Sequence, residues 1–274
     1  MYEAIAGLFG LLIGSFLNVC IYRWPRDLSV VKPRSHCPEC EHTIAWFDNI
    51  PVLSFLLLRG KCRHCAAKIP LRYPLVEIIT GLLFAYLVWR FGITVNALRY
   101  SLLCAMLVTL AFSDAETRIL PDEFTLGGLV VGLIMAAMVP VPDSTFRGIA
   151  AISGWTNLSW RWISLGEAVV GVVIPAGSLW LGGWLFEKIR HKEGLGFGDV
   201  KMMAMVGAFL GVRGTLLTLI VGSMLGSVIG IIYIKATKQD MGTYELPFGT
   251  FLAAAALAVA LVGGPVIDWY TRSA

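Results

Sequence analysis

Long apolar stretches separated by short polar ones run along the whole chain, and this pattern predicts a set of membrane-spanning helices. A helix needs roughly 20 mostly apolar residues to cross the hydrocarbon core of a bilayer. By that criterion we predict eight spans, at about residues 4–22, 74–91, 97–113, 124–140, 165–186, 200–212, 214–234 and 248–267. The sixth span is short and its link to the seventh is tight, so a count of seven spans is the alternative.

Composition agrees with this pattern. The 274 residues are 57% hydrophobic and only 15% charged, and the mean hydropathy is +0.75. These values exclude an ordinary soluble domain and predict an all-α integral membrane protein. No basic segment precedes the first apolar run, so we interpret that run as a retained transmembrane helix rather than a signal peptide.

Basic residues are divided unequally between alternate loops, which predicts the orientation of the chain. One set of loops carries 16 of the 22 Lys and Arg residues, and the other set carries 6. Because cytoplasmic loops are enriched in Lys and Arg, the richer set is predicted to face the cytoplasm. Both termini then lie on the outer side.

Only one loop is large, residues 23–73, and it carries the two Cys-x-x-Cys pairs Cys37/Cys40 and Cys62/Cys65. Two such pairs about twenty residues apart are typical of a zinc ribbon, in which four thiolates complete a tetrahedron. The alternative is two disulfides, which a reducing cytoplasm disfavours. A site with all four positions filled by thiolates is predicted to be structural. His36, His42 and His64 could replace a cysteine, but we interpret them as solvated loop residues.

A single acid follows the glycines of Gly196-Phe197-Gly198-Asp199, at the start of the sixth span. An acid at the edge of the bilayer is costly and is therefore a candidate functional residue. The predicted topology places a second acid, Asp114, at the cytoplasmic end of the third span. Glu116, Asp122 and Glu123 are nearby competitors that lie further along the loop, so we select Asp114 as the partner of Asp199.

Two adjacent carboxyl groups have a defined chemistry. They cannot both ionise cheaply, so they share one proton and titrate as a pair. The ionised group can take a proton from water while the protonated group donates a hydrogen bond to a substrate carbonyl, as in aspartic proteases. The alternative is two separate interfacial acids, each exposed to water or paired with Lys201 or Arg118.

These motifs carry a family resemblance. The two aspartate motifs, together with several segments of the first half, resemble the bifunctional type IV prepilin leader peptidase/N-methyltransferases, members of the GxGD intramembrane aspartic proteases. The segments are Gly14-Ser15-Phe16-Leu17-Asn18-Val19, Asn49-Ile50-Pro51-Val52-Leu53-Ser54, Arg59-Gly60-Lys61-Cys62, Arg72-Tyr73-Pro74-Leu75-Val76-Glu77, Ser113-Asp114, Leu120-Pro121-Asp122 and Gly196-Phe197-Gly198-Asp199-Val200-Lys201. The resemblance covers residues from about 10 to 250.

The resemblance implies an enzyme of the bacterial inner membrane with active sites facing the cytoplasm. It would cleave the basic leader of prepilins or pseudopilins with the pair Asp114 and Asp199. It would then methylate the new amino terminus with S-adenosyl-L-methionine, while Zn²⁺ is held by Cys37, Cys40, Cys62 and Cys65. The expected partners are these substrates and the lipid bilayer, with no nucleic acid.

The methyl-transfer site is less well defined by sequence. The chain shows no GxGxxG element that would bind the donor in a Rossmann fold. Asn18 and Glu77 are candidates for positioning an amine or the donor sulfonium, and ordinary polar packing is the alternative. We assign residues 1–73 to methyl transfer and residues 74–274 to a helical peptidase domain.

Two other functions stay open at the level of sequence. One is a peptidase whose methyltransferase is inactive, which the four intact cysteines disfavour. The other, from a different class, is a membrane zinc-binding scaffold or transporter without hydrolytic activity. The motifs do not distinguish pilus, type II secretion and competence substrates.

Overall fold

The computed structural model describes residues 1–155, 157–191, 196–237 and 246–273. It contains nine α-helices within those residues. They are α1 (Tyr2–Arg23), α2 (Leu53–Leu57), α3 (Arg72–Phe91), α4 (Val95–Thr117), α5 (Asp122–Met138), α6 (Thr145–Ile152), α7 (Trp160–Arg190), α8 (Phe197–Thr237) and α9 (Phe248–Ser273). The only β pairing in the described part of the chain consists of two isolated bridges in the cysteine loop. The predicted all-α membrane fold, with that loop between the first two long helices, is confirmed.

In the part of the chain that the structure describes, five helices are long and apolar enough to cross a membrane, namely α1, α3, α4, α7 and α8. Helix α9 contributes a shorter apolar stretch, Phe248–Gly264, and α5 has 17 residues. The predicted sixth and seventh spans correspond to the two helices of α8, an element of 41 residues that is interrupted at Gly211 (φ 72°, ψ −171°). At about 1.5 Å per residue α8 is roughly 60 Å long, twice the thickness of the hydrocarbon core. Gly211 divides α8 into a first helix of about 21 Å, shorter than the hydrocarbon core, and a second helix of about 39 Å, long enough for one crossing.

The chain forms two compact units, residues 1–109 and 110–274. In the first unit, α1 packs closely on α3 because glycines on α1 let the two backbones approach. A Cβ atom placed on Gly10 would lie 2.8 Å from the carbonyl oxygen of Thr80, and one on Gly14 would lie 2.7 Å from Glu77 Cα. Close approach through small residues is how helices associate inside a bilayer.

The second unit is built around the first half of α8, whose side chains Met202, Met205 and Phe209 are fully buried. Helices α5, α7 and α9 pack against α8. At the crossing of α7 and α8, the backbones of Gly171 and Gly207 touch, which leaves no room for a side chain on either glycine. This packing fixes the start of α8, where Asp199 lies.

Candidate active site and metal centre

Asp114 lies in the last turn of α4 and is buried. The helix ends just beyond it because Arg118 adopts a left-handed conformation (φ 59°) and donates its N–H to the Asp114 carbonyl at 3.0 Å. The Ser113 hydroxyl donates to the Ile119 carbonyl at 2.7 Å, which holds the following turn against the helix. Local backbone geometry therefore fixes the position of Asp114.

Asp199 lies in the first turn of α8 and is also buried. Its N–H donates to the Gly196 carbonyl at 3.1 Å, which closes the turn that begins the helix. A Cβ atom on Gly198 would lie 3.2 Å from Leu120 Cδ1. Because Gly198 has no side chain, the loop that follows Asp114 can pack against the start of α8. Gly194 and Leu195, which precede this turn in the sequence, lie outside the described residues.

The two carboxyl groups meet at Gly249, in the first turn of α9. A Cβ atom on Gly249 would lie 3.1 Å from Asp114 Cγ and 3.1 Å from Asp199 Oδ1. The distance between Asp114 Cγ and Asp199 Oδ1 can therefore be no larger than the sum of these two distances. The structure brings together the two aspartates that the sequence analysis selected, and glycine leaves the space between them free.

Thr250, the next residue, holds the carboxyl of Asp114. Its N–H donates to Asp114 Oδ2 at 2.7 Å, and its hydroxyl lies 2.9 Å from the same oxygen. The hydroxyl is also 3.1 Å from the Ala111 carbonyl oxygen. Neither Gly249 nor Thr250 is among the site residues predicted from the sequence. The signal that could have found them is a glycine directly after Pro247 and Phe248, at the start of an apolar helix.

A neighbouring acid has a different partner. Lys201 Nζ donates to both carboxylate oxygens of Asp122, at 2.7 and 2.9 Å. Lys201, which the sequence left open as a partner of the two candidate acids, is thus bound to Asp122. Asp122 is more than half exposed, whereas Asp114 and Asp199 are buried side by side. Of these three acids, only Asp114 and Asp199 have the arrangement of a carboxyl pair that could share a proton.

The four loop cysteines come together in the first unit. Their sulfur atoms all lie within 4.8 Å of one another, and Cys37 Sγ is 3.8 Å from Cys65 Sγ. Tetrahedral Zn²⁺ with Zn–S bonds of about 2.3 Å separates its sulfur ligands by about 3.8 Å. All four cysteines are free thiols. The donor set therefore fits zinc, and no disulfide joins these residues.

The two Cys-x-x-Cys turns repeat one backbone design. In each, the N–H of the first cysteine donates to the carbonyl five residues later, at His42 and Ala67. The N–H four residues later, at Glu41 and Ala66, donates back to the cysteine carbonyl. Glu41 and Ala66 both have positive φ. This recurrence is expected of paired zinc knuckles, because each tight turn presents two thiols to one point.

The thiols differ in acidity. Hydrogen bonds from the backbone amides of Cys65 and His64 lower the pKa of Cys62 to about 7. For Cys65, a hydrogen bond from Ala67 lowers the pKa, but desolvation and the neighbouring thiols outweigh it and raise the pKa to about 12. Metal binding must therefore displace protons, and affinity should rise with pH. The imidazole rings of His42 and His64 are in contact, with centroids 3.6 Å apart and planes inclined by 35°.

Asn18 and Glu77 lie on the facing helices of the first unit and are both buried. The Asn18 amide donates to the Tyr73 carbonyl at 3.0 Å, while its Oδ1 has no partner among the described residues. Glu77 Oε2 accepts the N–H of Val52 at 2.7 Å. Val52 has φ 61°, which is rare for a β-branched residue and marks a strained turn. Glu77 thus stabilises a strained point of the cysteine loop.

Known protein families match two consecutive parts of the chain, which correspond approximately to the two compact units. Residues 8–91 match the bacterial peptidase A24 N-terminal domain, and residues 101–231 match the type IV leader peptidase family. A prepilin leader peptidase/N-methyltransferase from Pseudomonas putida is 36% identical over 287 residues, covering 97% of this chain and 92% of that protein.

Two further relatives carry the same name. One, from Pseudomonas aeruginosa, is 36% identical over 290 residues, covering 97% of this chain and 92% of that protein. Another, from Myxococcus xanthus, is 40% identical over 239 residues, covering 87% of this chain and 65% of that protein. No solved structure matches the chain. The resemblance found in its motifs is confirmed, and this multi-pass membrane protein belongs to the prepilin leader peptidase/N-methyltransferase family.

Proposed function

We propose that this chain cleaves the leader peptide of prepilins or pseudopilins and then methylates the new amino terminus. The observation that carries the proposal is the meeting of Asp114 and Asp199 at Gly249, in a chain that belongs to this family. The substrates would be those of a type IV pilus or a type II secretion system. The bacterial inner membrane is the proposed location, with both sites facing the cytoplasm.

Cleavage would use the two carboxyl groups as one unit. The ionised member takes a proton from water, and the resulting hydroxide attacks the scissile carbonyl carbon. The protonated member donates its proton to the carbonyl oxygen, which gives a tetrahedral diol. The diol then collapses to a carboxyl group as the amine leaves with a proton. Burial of both aspartates supports this proposal, because proton sharing is strongest away from bulk water.

For methylation, we propose that S-adenosyl-L-methionine supplies an electrophilic methyl group and that Zn²⁺ is structural. The four thiolates of Cys37, Cys40, Cys62 and Cys65 would fill the coordination sphere of the metal, leaving no open position for a substrate. Asn18 and Glu77 are proposed to position the amine or the donor. As a division of labour, we propose methyl transfer for residues 1–73, with Glu77 contributed by the following helix, and cleavage for the rest of residues 74–274.

The test is mass spectrometry of a prepilin co-expressed with the enzyme, which measures cleavage and methylation together. Asp114→Asn and Asp199→Asn should each abolish cleavage, a loss of at least roughly 1,000-fold, because neither variant can form the proton-sharing pair. Zinc content and expression should stay at the wild-type level. Full cleavage by both variants would refute the assigned pair. Cleavage without methylation by the wild-type enzyme would leave a peptidase alone.

A further inference from the structure

A cavity of about 400 Å³ lies in the first unit, between one face of α1 and the cysteine loop. Its volume is in the range of small-molecule sites, roughly 300–1,000 Å³. Along α1 its lining begins at Leu12, continues at helical spacing through Phe16 and Val19, and ends at Arg23. At about 1.5 Å per residue, Leu12 and Arg23 are roughly 16–17 Å apart along the helix axis, about half the thickness of the hydrocarbon core. The lining therefore extends over the depth of about one leaflet.

The end of the cavity at Leu12 is apolar. Leu12 and Phe16 are 59% and 48% exposed, and they lie on a helix that is long and apolar enough to cross a membrane. Apolar side chains exposed on a membrane-spanning helix face the hydrocarbon of the bilayer. An acyl chain can therefore lie along this part of the cavity wall.

Two apolar residues of the cysteine loop line the cavity as well. Val31 and Trp46 are 77% and 74% exposed. The guanidinium of Arg23 donates to the carbonyls of Ser29 and Pro33, both at 2.8 Å, and so holds the segment that carries Val31 against the end of α1. Tryptophan is enriched at membrane surfaces because its indole has an apolar body and a polar N–H. The loop wall therefore fits a position at the level of the lipid headgroups.

The charge of the cavity is positive. Arg23 lines it with only 7% of its surface exposed, and its bonds to the two carbonyls use two of its five N–H donors. Arg34 lines the same cavity from the loop and is exposed. No ion pair of the described residues involves either arginine, and no lining residue is acidic. A buried guanidinium costs free energy unless a negative charge lies nearby, and its planar donors match the oxygens of a phosphate. This end of the cavity therefore favours a phosphate and disfavours a cation.

The two ends of the cavity together select among possible ligands. A free phosphate ion would meet the two arginines but would leave the apolar wall of Leu12 and Phe16 uncovered. A lipid without net charge would cover this wall but would not neutralise the arginines. A phospholipid with a net negative charge does both, and basic pockets at the membrane surface bind such headgroups. The length of the lining, about one leaflet, fits the same ligand.

We propose that this cavity binds an anionic phospholipid of the bilayer. Its phosphate is bound by Arg23 and Arg34, and one acyl chain lies along the α1 wall from Val19 to Leu12. The lipid joins the cysteine loop to α1 and holds the loop on the membrane surface. This site is separate from the carboxyl pair and from the four thiols, and it does not depend on the cleavage or the methylation proposed above.

Native mass spectrometry of the purified, delipidated full chain in a neutral detergent tests the proposal. One probe is dioleoyl phosphatidylglycerol, which is anionic. A second is dioleoyl phosphatidylcholine, which has the same chains but no net charge, and a third is glycerophosphoglycerol, the anionic headgroup without chains. We expect phosphatidylglycerol to bind at least about 10-fold more tightly than phosphatidylcholine, because the choline cation would lie beside two arginines. Glycerophosphoglycerol should show no binding at the same concentration.

The arginine end is tested with Arg34→Gln, which should raise the Kd of phosphatidylglycerol at least about 10-fold. The matched control is Arg26→Gln, because Arg26 is an exposed neighbour that bonds the Tyr22 carbonyl and does not line the cavity. Both variants lose one positive charge, so the general attraction to anionic lipid falls equally in the two. The control should bind phosphatidylglycerol as the wild type does.

The apolar end is tested with Leu12→Ala, which should raise the same Kd roughly 3-fold because the acyl chain loses part of its contact. Leu8→Ala is the control, since Leu8 is an equally exposed leucine one turn earlier on α1 and does not line the cavity. The control should leave the Kd unchanged.

Thermal unfolding midpoints of the variants verify that they fold. Equal affinity for the two lipids, or wild-type affinity for phosphatidylglycerol in a folded Arg34→Gln variant, would overturn the proposal. Glycerophosphoglycerol that bound as tightly as phosphatidylglycerol would overturn it as well, because the cavity would then be a site for a free anion. None of these results bears on leader cleavage or methylation, which are measured on a prepilin.

Discussion

The two candidate sites are built in different ways. In the second unit, Asp114, Asp199 and Thr250 each lie in a terminal turn of a long helix, and backbone hydrogen bonds fix those turns. In the first unit, the cysteines lie on a loop whose turns need positive φ at Glu41 and Ala66. Helix ends can hold a carboxyl pair without further help, whereas four thiols converge stably only around a metal. The proposed peptidase site should therefore tolerate damage to the loop, while the proposed methyl-transfer site should not.

Cys62→Ser should produce the largest difference between the loss of methylation and the loss of leader cleavage. Loss of one thiolate should abolish stoichiometric zinc and reduce methylation at least roughly 100-fold, because the loop loses its metal. Leader cleavage should fall much less. The measurements are zinc per chain by mass spectrometry and the two product masses of a prepilin. His36→Gln is the control. Among the described residues the His36 side chain has one hydrogen-bond partner, the Arg34 carbonyl, and this variant should keep its zinc.

The reciprocal experiment uses a pilin peptide that is already cleaved. Asp199→Asn should methylate this peptide at the wild-type rate while failing to process the full prepilin. If Cys62→Ser lost cleavage to the same extent as methylation, the two sites would not be independent in the way their construction indicates.

Gly249→Ala should damage cleavage next most strongly. The added methyl group would lie 3.1 Å from Asp114 Cγ, Asp199 Oδ1 and Leu120 Cδ1, so the carboxyl groups must move by a few tenths of an ångström. We expect kcat for cleavage to fall roughly 10- to 100-fold, with zinc and donor binding intact. Gly127→Ala is the matched control, because nothing lies within 4 Å of a Cβ there. Equal activity of the two alanine variants would contradict the tight contact at Gly249.

Thr250→Val removes one hydroxyl and keeps the N–H that holds Asp114. The hydroxyl has one proton and two neighbouring acceptors, Asp114 Oδ2 and the Ala111 carbonyl. It can donate to an ionised Asp114, or accept from a protonated Asp114 while donating to Ala111. The valine variant cannot do either, so kcat should fall roughly 3- to 10-fold with KM unchanged.

Thr250→Ser should restore the wild-type kcat, which a purely structural role of the side chain would not predict. Thr218→Val is the control, since the buried Thr218 hydroxyl donates to the Gly214 carbonyl within α8 and has no other hydrogen-bond partner among the described residues. A valine variant with unchanged kcat would show that the backbone N–H alone positions Asp114.

The sequence predicted those candidate site residues whose side-chain chemistry and position, at the end of an apolar run or in a spaced motif, are both distinctive. Asp114 and Asp199 could be paired because each is an acid at the end of an apolar run, and the cysteine spacing predicted the sulfur cluster. Thr250 could not be found in this way, because a threonine at a helix start is common. Its partner Asp114 is 136 residues earlier in the chain. The predicted boundary between the sixth and seventh spans corresponds to Gly211, whose non-helical φ and ψ interrupt α8.

The smallest expected effect concerns the ion pair of Asp48 and Arg63 in the cysteine loop. The Arg63 guanidinium donates to the two carboxylate oxygens of Asp48 at 2.8 and 2.6 Å. The hydrogen bonds from Arg63 lower the pKa of Asp48. A depressed carboxyl pKa stabilises the fold above the unfolded-state value, and this stabilisation is lost as the pH falls through the folded-state value. Because Arg63 is half exposed, Asp48→Asn should lower the unfolding midpoint near pH 7 by only roughly 1–2 °C. Scanning fluorimetry should show this difference vanishing on acidification below about pH 4, and a constant difference would mean that the charge of Asp48 does not contribute.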